Sequence, residues 1–401
     1  MANATLINAT KSLTNATGLN ESLLDAVATS KLAFLQTFAN PVVLVFGLSV
    51  LLVVVILLFV IRNVTPVSKF LYANARIQAR SNFMVSEQLL TELTEAKSLK
   101  EFRSLLRDTE FGEELEKSSE GLRSFHSALE KGFINSIIEL IELSPDKSKP
   151  LLNAYLMFLE AEMLKIIYRA RLMKAEIDES LVYPIGNINE ERLRHLLGTE
   201  SIADIGVVMA PTAYSEVFGK KYEKLEEFEV ALDQFVFNNF VDVIQKTKMH
   251  DGRYIIDILN KKIDIFNILA LLKFRIRNIE KEKQKNLLID NKTDLCLRFD
   301  ELIKAGTLKE SVEALKGLPY HEPLTKALEK HEKDGSLSHF ENELYRFFKE
   351  FVASNDLGHT LGPYPLISYL IKKELEQRNL FVISRGIDAG FSADKIKEMV
   401  I

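Results

Sequence analysis

From Pro41 to Ile61 the chain reads PVVLVFGLSVLLVVVILLFVI, and no ionisable residue stands between Lys31 and Arg62. At 1.5 Å per residue, about twenty helical residues span about 30 Å, the thickness of a hydrocarbon core. A buried soluble helix rarely stays apolar on every face for so long. A secretory leader has a shorter apolar stretch, roughly 7–15 residues, behind a short basic start. Here a long, mostly neutral segment comes first. The pattern therefore predicts a transmembrane helix over 41–62, preceded by a separate tail, residues 1–40. Beyond it the pattern changes. Residues 67–111, 151–183 and 253–305 contain neither Gly nor Pro, lengths that suit helices and not strands. Apolar residues recur at helical spacing, as in Leu89, Leu90 and Leu93, or Ile256, Leu259, Ile263 and Phe266. No alternating strand pattern stands out, so the expected fold class is all-α.

Residues 66–401 also repeat themselves. SLKEFRSLLRDTEFGEEL from Ser98, SIADIGVVMAPTAYSEVF from Ser201 and TLKESVEALKGLPYHEPL from Thr307 align without gaps. Ser98, Ser201 and Thr307 fit N-caps, with Glu101, Asp204 and Glu310 three places later as in a capping box. Leu106, Met209 and Leu315 fall on one inner face. Phe111, Tyr214 and Tyr320 put an aromatic just past the helix, followed two residues on by Glu113, Glu216 and Glu322. Leu93, Leu196 and Leu302 coincide five places upstream. A second block repeats as LEAEMLKII from Leu159, IDIFNILAL from Ile263 and LEQRNLFVI from Leu375. The period is domain-sized, which predicts a triplicated helical unit divided as 66–168, 169–272 and 273–401. Three similar units can close around a pseudo-threefold axis as a funnel; a linear array satisfies the same spacing.

Charge orients the chain. Lys31 is the only cation close before the apolar stretch, whereas Arg62, Lys69, Arg76 and Arg80 follow it. The positive-inside rule puts the N-terminus outside and the body in the cytoplasm. Four N-x-S/T sequons, at Asn3, Asn8, Asn15 and Asn20, crowd the tail and are glycosylation candidates. A polar leader without sugar is the other reading. Asn63 and Asn291 also begin sequons, on what this topology makes the cytoplasmic side. The apolar stretch carries no ionisable group, so its expected work is anchoring, not ion movement.

Composition narrows the function. The net charge of −5 argues against a nucleic-acid partner, and the single Cys296 excludes a disulfide framework. Phosphate-loop, dinucleotide-binding and nucleophile-elbow patterns are missing, and the seven histidines never stand in H-x-x-x-H or H-E-x-x-H spacing. No catalytic residue, cofactor or metal is expected. Lys273, Arg275, Arg277, Lys281, Lys283 and Lys285 form a basic stretch, either attracted to acidic partners or solvated beside Glu280 and Glu282.

The body resembles the C subunit of the archaeal-type (A/V-type) rotary ATP synthase, the counterpart of the d subunit in vacuolar proton pumps. The likeness lies in YANARIQAR from Tyr72, AKSLKEFRSLLRDTEFG from Ala96 and KKIDIFNI from Lys261. It continues in YLIKKELEQRNLFVISRG from Tyr369 and ends in DKIKEMV from Asp394. The resemblance implies three similar helical domains in a funnel. It implies a non-catalytic rotor part without a cofactor, set between the proteolipid ring in the membrane and the D and F subunits of the central stalk. The family usually begins near the Tyr72 motif, so residues 1–65 stand out as a departure. An anchor on a turning part must turn with the ring, which suggests that helix 42–61 threads the ring lumen. Arg62, Lys69, Tyr72, Arg76 and Arg80 are the expected contacts with ring or lipid. Asn267 and Asn379 are expected to tie helices together. A competing reading is a membrane-anchored helical scaffold or receptor with a glycosylated outer tail, unrelated to the ATPase.

Overall fold

The computed structural model describes residues 41–249, 251–276, 279–356 and 362–401 together with Ala26, Thr29 and Ser30; the side chains at 63–69, 180 and 276 fall outside that description. The four tail sequons and Lys31 lie outside the described residues. Among the described residues there is no strand, only one isolated bridge between Ile185 and Ile188, and the fold is all-α. Seven helices are long: α1 (Pro41–Ser81), α2 (Leu122–Leu143), α3 (Lys149–Leu172), α4 (Leu225–Thr247), α5 (Gly252–Ile276), α6 (Ser338–Asn355) and α7 (Tyr364–Asp388). The chain forms two compact units, Met1–Ser68 and Lys69–Ile401.

In the first unit α1 starts on Pro41, a position where the missing N–H costs nothing. Pro41–Arg62 has a mean hydropathy of 3.4 and none of its residues is buried, and it is long and apolar enough to cross a membrane. Residues 62–69 are helical and belong to α1. Pro66 withholds one N–H from the ladder, and no glycine stands nearby to break it.

In the second unit the last turns of α1 bury Phe70, Ala73 and Ile77, three residues on one helical face. The copied segments fold alike. Ser98, Ser201 and Thr307 each cap a short helix, accepting from the backbone amides of Glu101, Asp204 and Glu310. The returning carboxylates differ by one methylene. Asp204 reaches back to the Ser201 amide at 2.9 Å, while the longer Glu101 and Glu310 reach one residue further, to the amides of Lys97 and Gly306. Past each helix one turn repeats: Thr109, Thr212 and Leu318 donate their amides to the carbonyls of Leu106, Met209 and Leu315. Those three carbonyl residues are buried, as are Leu93, Leu196 and Leu302. Glu113, Glu216 and Glu322 each pair with a lysine four residues on, Lys117, Lys220 and Lys326. Those pairs are exposed and add little stability.

The long helices pack as α3 along α4, α5 along α6 and α7 along α2. The last of these contacts joins opposite ends of the sequence, since α7 also packs on the short helices Glu87–Glu95 and Leu99–Leu105. Each long helix that carries a second-block copy thus serves the group of short helices following it in the chain. The final one, α7, packs on the first group and on the short helix Ala393–Met399 that follows it.

Candidate functional site

In two of the three places the copied blocks meet through a buried hydrogen bond. The second place of the second block holds a carboxylate, Glu160, Asp264 or Glu376. Tyr214 donates its hydroxyl to Glu160 Oε2 at 2.7 Å, and Tyr320 donates to Asp264 Oδ2 at 2.7 Å. The Asn187 amide donates to Glu160 at 2.7 Å, and Asn291 Nδ2 and Thr293 Oγ1 donate to Asp264 at 2.8 and 2.7 Å. Burial raises the Glu160 carboxyl above its usual range, and the hydrogen bonds from Asn187 and Tyr214 oppose that shift. Gly186, at φ +54°, passes so close that a Cβ there would lie 1.8 Å from Glu160 Oε1. Asn291 is buried against Asp264, which removes its sequon from any surface.

The fifth place of the block is a clamp. Asn267 accepts from the Ile289 amide at 2.9 Å and donates to the Ile289 carbonyl at 2.8 Å. Asn379 does the same to Ile401, at 3.0 and 2.8 Å. Both asparagines therefore tie a long helix to a segment 22 residues downstream. In the remaining copy Met163 Sδ accepts from the Tyr183 amide at 3.1 Å.

The copy built on α7 departs from this scheme. Phe111 stands where the others have tyrosine; Phe235 and Phe347 lie 5.5 Å from Tyr214 and Tyr320, whereas Gly132 lies against the Phe111 ring. A Cβ on Gly132 would come within 3.0 Å of the Phe111 ring. The fully buried Lys373 amine sits 4.0 Å from the centre of that ring, 2.5 Å from Glu376 and 3.2 Å from Glu110. Tyr369 donates to Glu110 at 2.8 Å, and Glu376 accepts from the Val85 amide at 2.5 Å. Beside this cluster lies a polar cavity of about 180 Å³, lined by Arg80, Glu113, Asn135 and Glu139 among others.

One place ahead of the second block the three copies hold Phe158, Lys262 and Glu374. The structure brings them together. Lys262 Nζ lies 2.6 Å from both carboxylate oxygens of Glu374, 5.7 Å from the Phe158 ring centre and 5.8 Å from that of Tyr155. Tyr155 donates its hydroxyl to Glu374 Oε2 at 2.7 Å. No local motif marks these residues in the sequence. The available signal was their shared place in the repeat, which the change from aromatic to cation to anion conceals.

Of the residues read as contacts, Arg62, Tyr72 and Arg76 are exposed. Arg80 pairs with Glu139, and the Lys69 side chain is outside the described residues. Of the basic stretch, Lys273 is exposed, Arg277 lies outside the described residues, and the other four are engaged within the body. Arg275 donates to the Leu302 and Ala305 carbonyls, Lys281 to the Lys304 carbonyl, Lys283 pairs with Glu280 and Lys285 with Asp300. Cys296 packs against the core and donates its thiol to Asn291 Oδ1 at 3.1 Å. Among the described residues no three His, Cys, Asp or Glu side chains are gathered to hold a metal ion.

Among the described residues the body is all helical, and the buried Glu160, Asp264, Asn267 and Asn379 side chains hold its helices and loops together. The chain belongs to the ATP synthase (C/AC39) subunit family, whose model matches residues 73–399. It is 25% identical over 386 residues to the A-type ATP synthase C subunit of Methanocaldococcus jannaschii, an alignment covering 92% of this chain and 96% of that protein. The A-type C subunit of Pyrococcus abyssi is 24% identical over 345 residues, covering 85% and 92% of the two chains. That of Methanosphaera stadtmanae is 22% identical over 378 residues, covering 91% and 97%. The chain is therefore a non-catalytic accessory subunit of an A/V-type ATP synthase. The family model begins at residue 73, beside the Tyr72 motif where the family was expected to begin, and the apolar stretch lies ahead of that match.

Proposed function

We propose that this chain is the rotor part that couples the central shaft, built of the D and F subunits, to the proteolipid ring during ion-driven ATP synthesis or ATP-driven ion transport. The observation that carries this reading is the family match over nearly the whole body. The copies at 66–168, 169–272 and 273–401 form the funnel, which passes torque by packing and charge complementarity. Helix 41–62 spans the membrane within the ring lumen, with the N-terminal tail outside and open to glycosylation at Asn3, Asn8, Asn15 and Asn20. Arg62, Lys69, Tyr72 and Arg76 face ring or lipid headgroups; Arg80 joins them only by leaving Glu139.

Affinity purification of the intact chain from its membranes tests the reading. Stoichiometric recovery of the proteolipid, D and F subunits is the expected result, and a chain recovered without them would leave the anchored scaffold instead. Cross-links from residues 42–61 to the inner wall of the ring are expected. Cross-links to its outer, stator-facing side would refute the lumen placement.

A further inference from the structure

Phe158, Lys262 and Glu374 are one position of the repeat, occupied three different ways, and they touch. Contact between equivalent places requires α3, α5 and α7 to converge at this level. Four places ahead of the block the convergence continues. Tyr155, Leu259 and Ile371 are again one position in three copies, and with Ile255 and Ile367 they line a void of about 10 Å³. A void of that size is at or below what a water needs. The upper level is wet, since Lys262 and Glu374 keep 27% and 36% of their side-chain surface exposed. A copied position next to its own copies cannot keep one charged residue three times. Like charges at contact distance repel one another. One ring, one cation and one anion remove that conflict and let each copy recognise the other two.

We infer that Phe158, Lys262 and Glu374 form a clasp that closes the three copies around a common axis and fixes their order. Lys262 is its positioning residue, tying α5 to α7 by charge and to α3 through the rings of Tyr155 and Phe158. The inference concerns the chain by itself and stands or falls independently of any partner in the rotary complex.

Amide hydrogen exchange of the full chain in detergent tests it, read at residues 155–158, 259–262 and 371–374. Lys262→Glu and Glu374→Lys are each expected to speed exchange there about fivefold or more, the factor that corresponds to an ion pair near the top of the range for exposed pairs. The double variant, with both charges exchanged, is expected to return within about twofold of the original chain, as is Lys262→Arg. Unchanged exchange in the single reversals, or a double variant as fast as the singles, overturns the clasp. Should a reversal fail to fold, Lys262→Met reads the same question: faster exchange at the three segments supports the clasp, and unchanged exchange overturns it.

Discussion

Tyr320 donates its hydroxyl hydrogen to Asp264 at 2.7 Å across 56 residues of sequence, and Tyr214 does the same to Glu160 at 2.7 Å across 54. Each bond joins the aromatic of one copied block to the carboxylate of the other. The same polar contact therefore joins the two blocks at Tyr214 and at Tyr320, while Phe111, which has no hydroxyl, cannot make it.

Removing the hydroxyl leaves a buried carboxylate short of a donor. Tyr214→Phe and Tyr320→Phe are each expected to cost about 1.5–3 kcal/mol, the range for hydrogen bonds to charged groups. Glu160 keeps its donors on Asn187, and Asp264 keeps Asn291 and Thr293, so neither change should abolish folding. Thermal unfolding of the full chain in detergent measures the loss. A change within error of zero would mean that the two bonds contribute no net stability.

The N-caps make a smaller, additive prediction. Ser98→Ala, Ser201→Ala and Thr307→Ala each remove one acceptor for an orphan amide, at about 1 kcal/mol apiece. The caps sit on separate helices, so the triple variant should lose the sum to within about 0.5 kcal/mol. A triple variant as stable as one single variant would show that the three helix starts are not independent.

These caps were legible in the sequence because a cap is a local pattern of a hydroxyl followed three residues later by a carboxylate. The buried faces through Leu106, Met209 and Leu315 were legible for the same reason, since helical period names a face. Period does not name what the face meets. The tyrosine–carboxylate bonds, the return of α7 onto the first short helices and the meeting of Phe158 with Lys262 and Glu374 depend on contacts between distant segments. Arg80 shows the same limit: its place after an apolar stretch suggested a surface cation, and its partner Glu139 belongs to α2. The first copy hid its variation best, because Phe111, in place of a tyrosine, meets Lys373 from far away in the chain.

Lys165 and Asp233 form a nearly buried pair at 2.6 Å between α3 and α4. Lys165 is the seventh residue of its block, where the other copies carry Leu269 and Phe381, so the scaffold accepts an apolar side chain there. Lys165→Leu alone strands the Asp233 carboxyl, which burial already pushes up to about 6, and should cost about 3–5 kcal/mol. Adding Asp233→Leu should recover most of that loss. The single variant carries a pH signature. A carboxyl whose folded pKa is raised binds more protons folded than unfolded, so stability falls as pH rises. The loss should therefore be larger at pH 8 than at pH 5, and unfolding curves at both values check it. A double variant less stable than the single would refute the argument.

His126 makes the opposite case. Its Nε2 lies 2.9 Å from Ser384 Oγ, and its ring stands edge-on to Phe381 at 4.6 Å, where α2 packs on α7. Burial first, then the Arg385 charge, hold the imidazole down to about 4, against an ordinary value near 6.5, with Asp388 pulling weakly the other way. The unfolded chain takes up this proton as pH drops through about 6.5, whereas the folded chain resists until about 4. Between those values the unfolded state binds more protons, so this residue's contribution is full above pH 6.5 and is lost as the solution is acidified. The ring is only half-buried, so solvent screening makes the loss smaller than the full shift would give. His126→Asn keeps a hydrogen-bonding group beside Ser384 and removes the titration. Unfolding free energies measured from pH 7.5 down to 4.5 should converge, with wild type ahead at neutral pH and the variant catching up in acid. Parallel lines across that range would mean that the α2–α7 seam does not sense the imidazole proton.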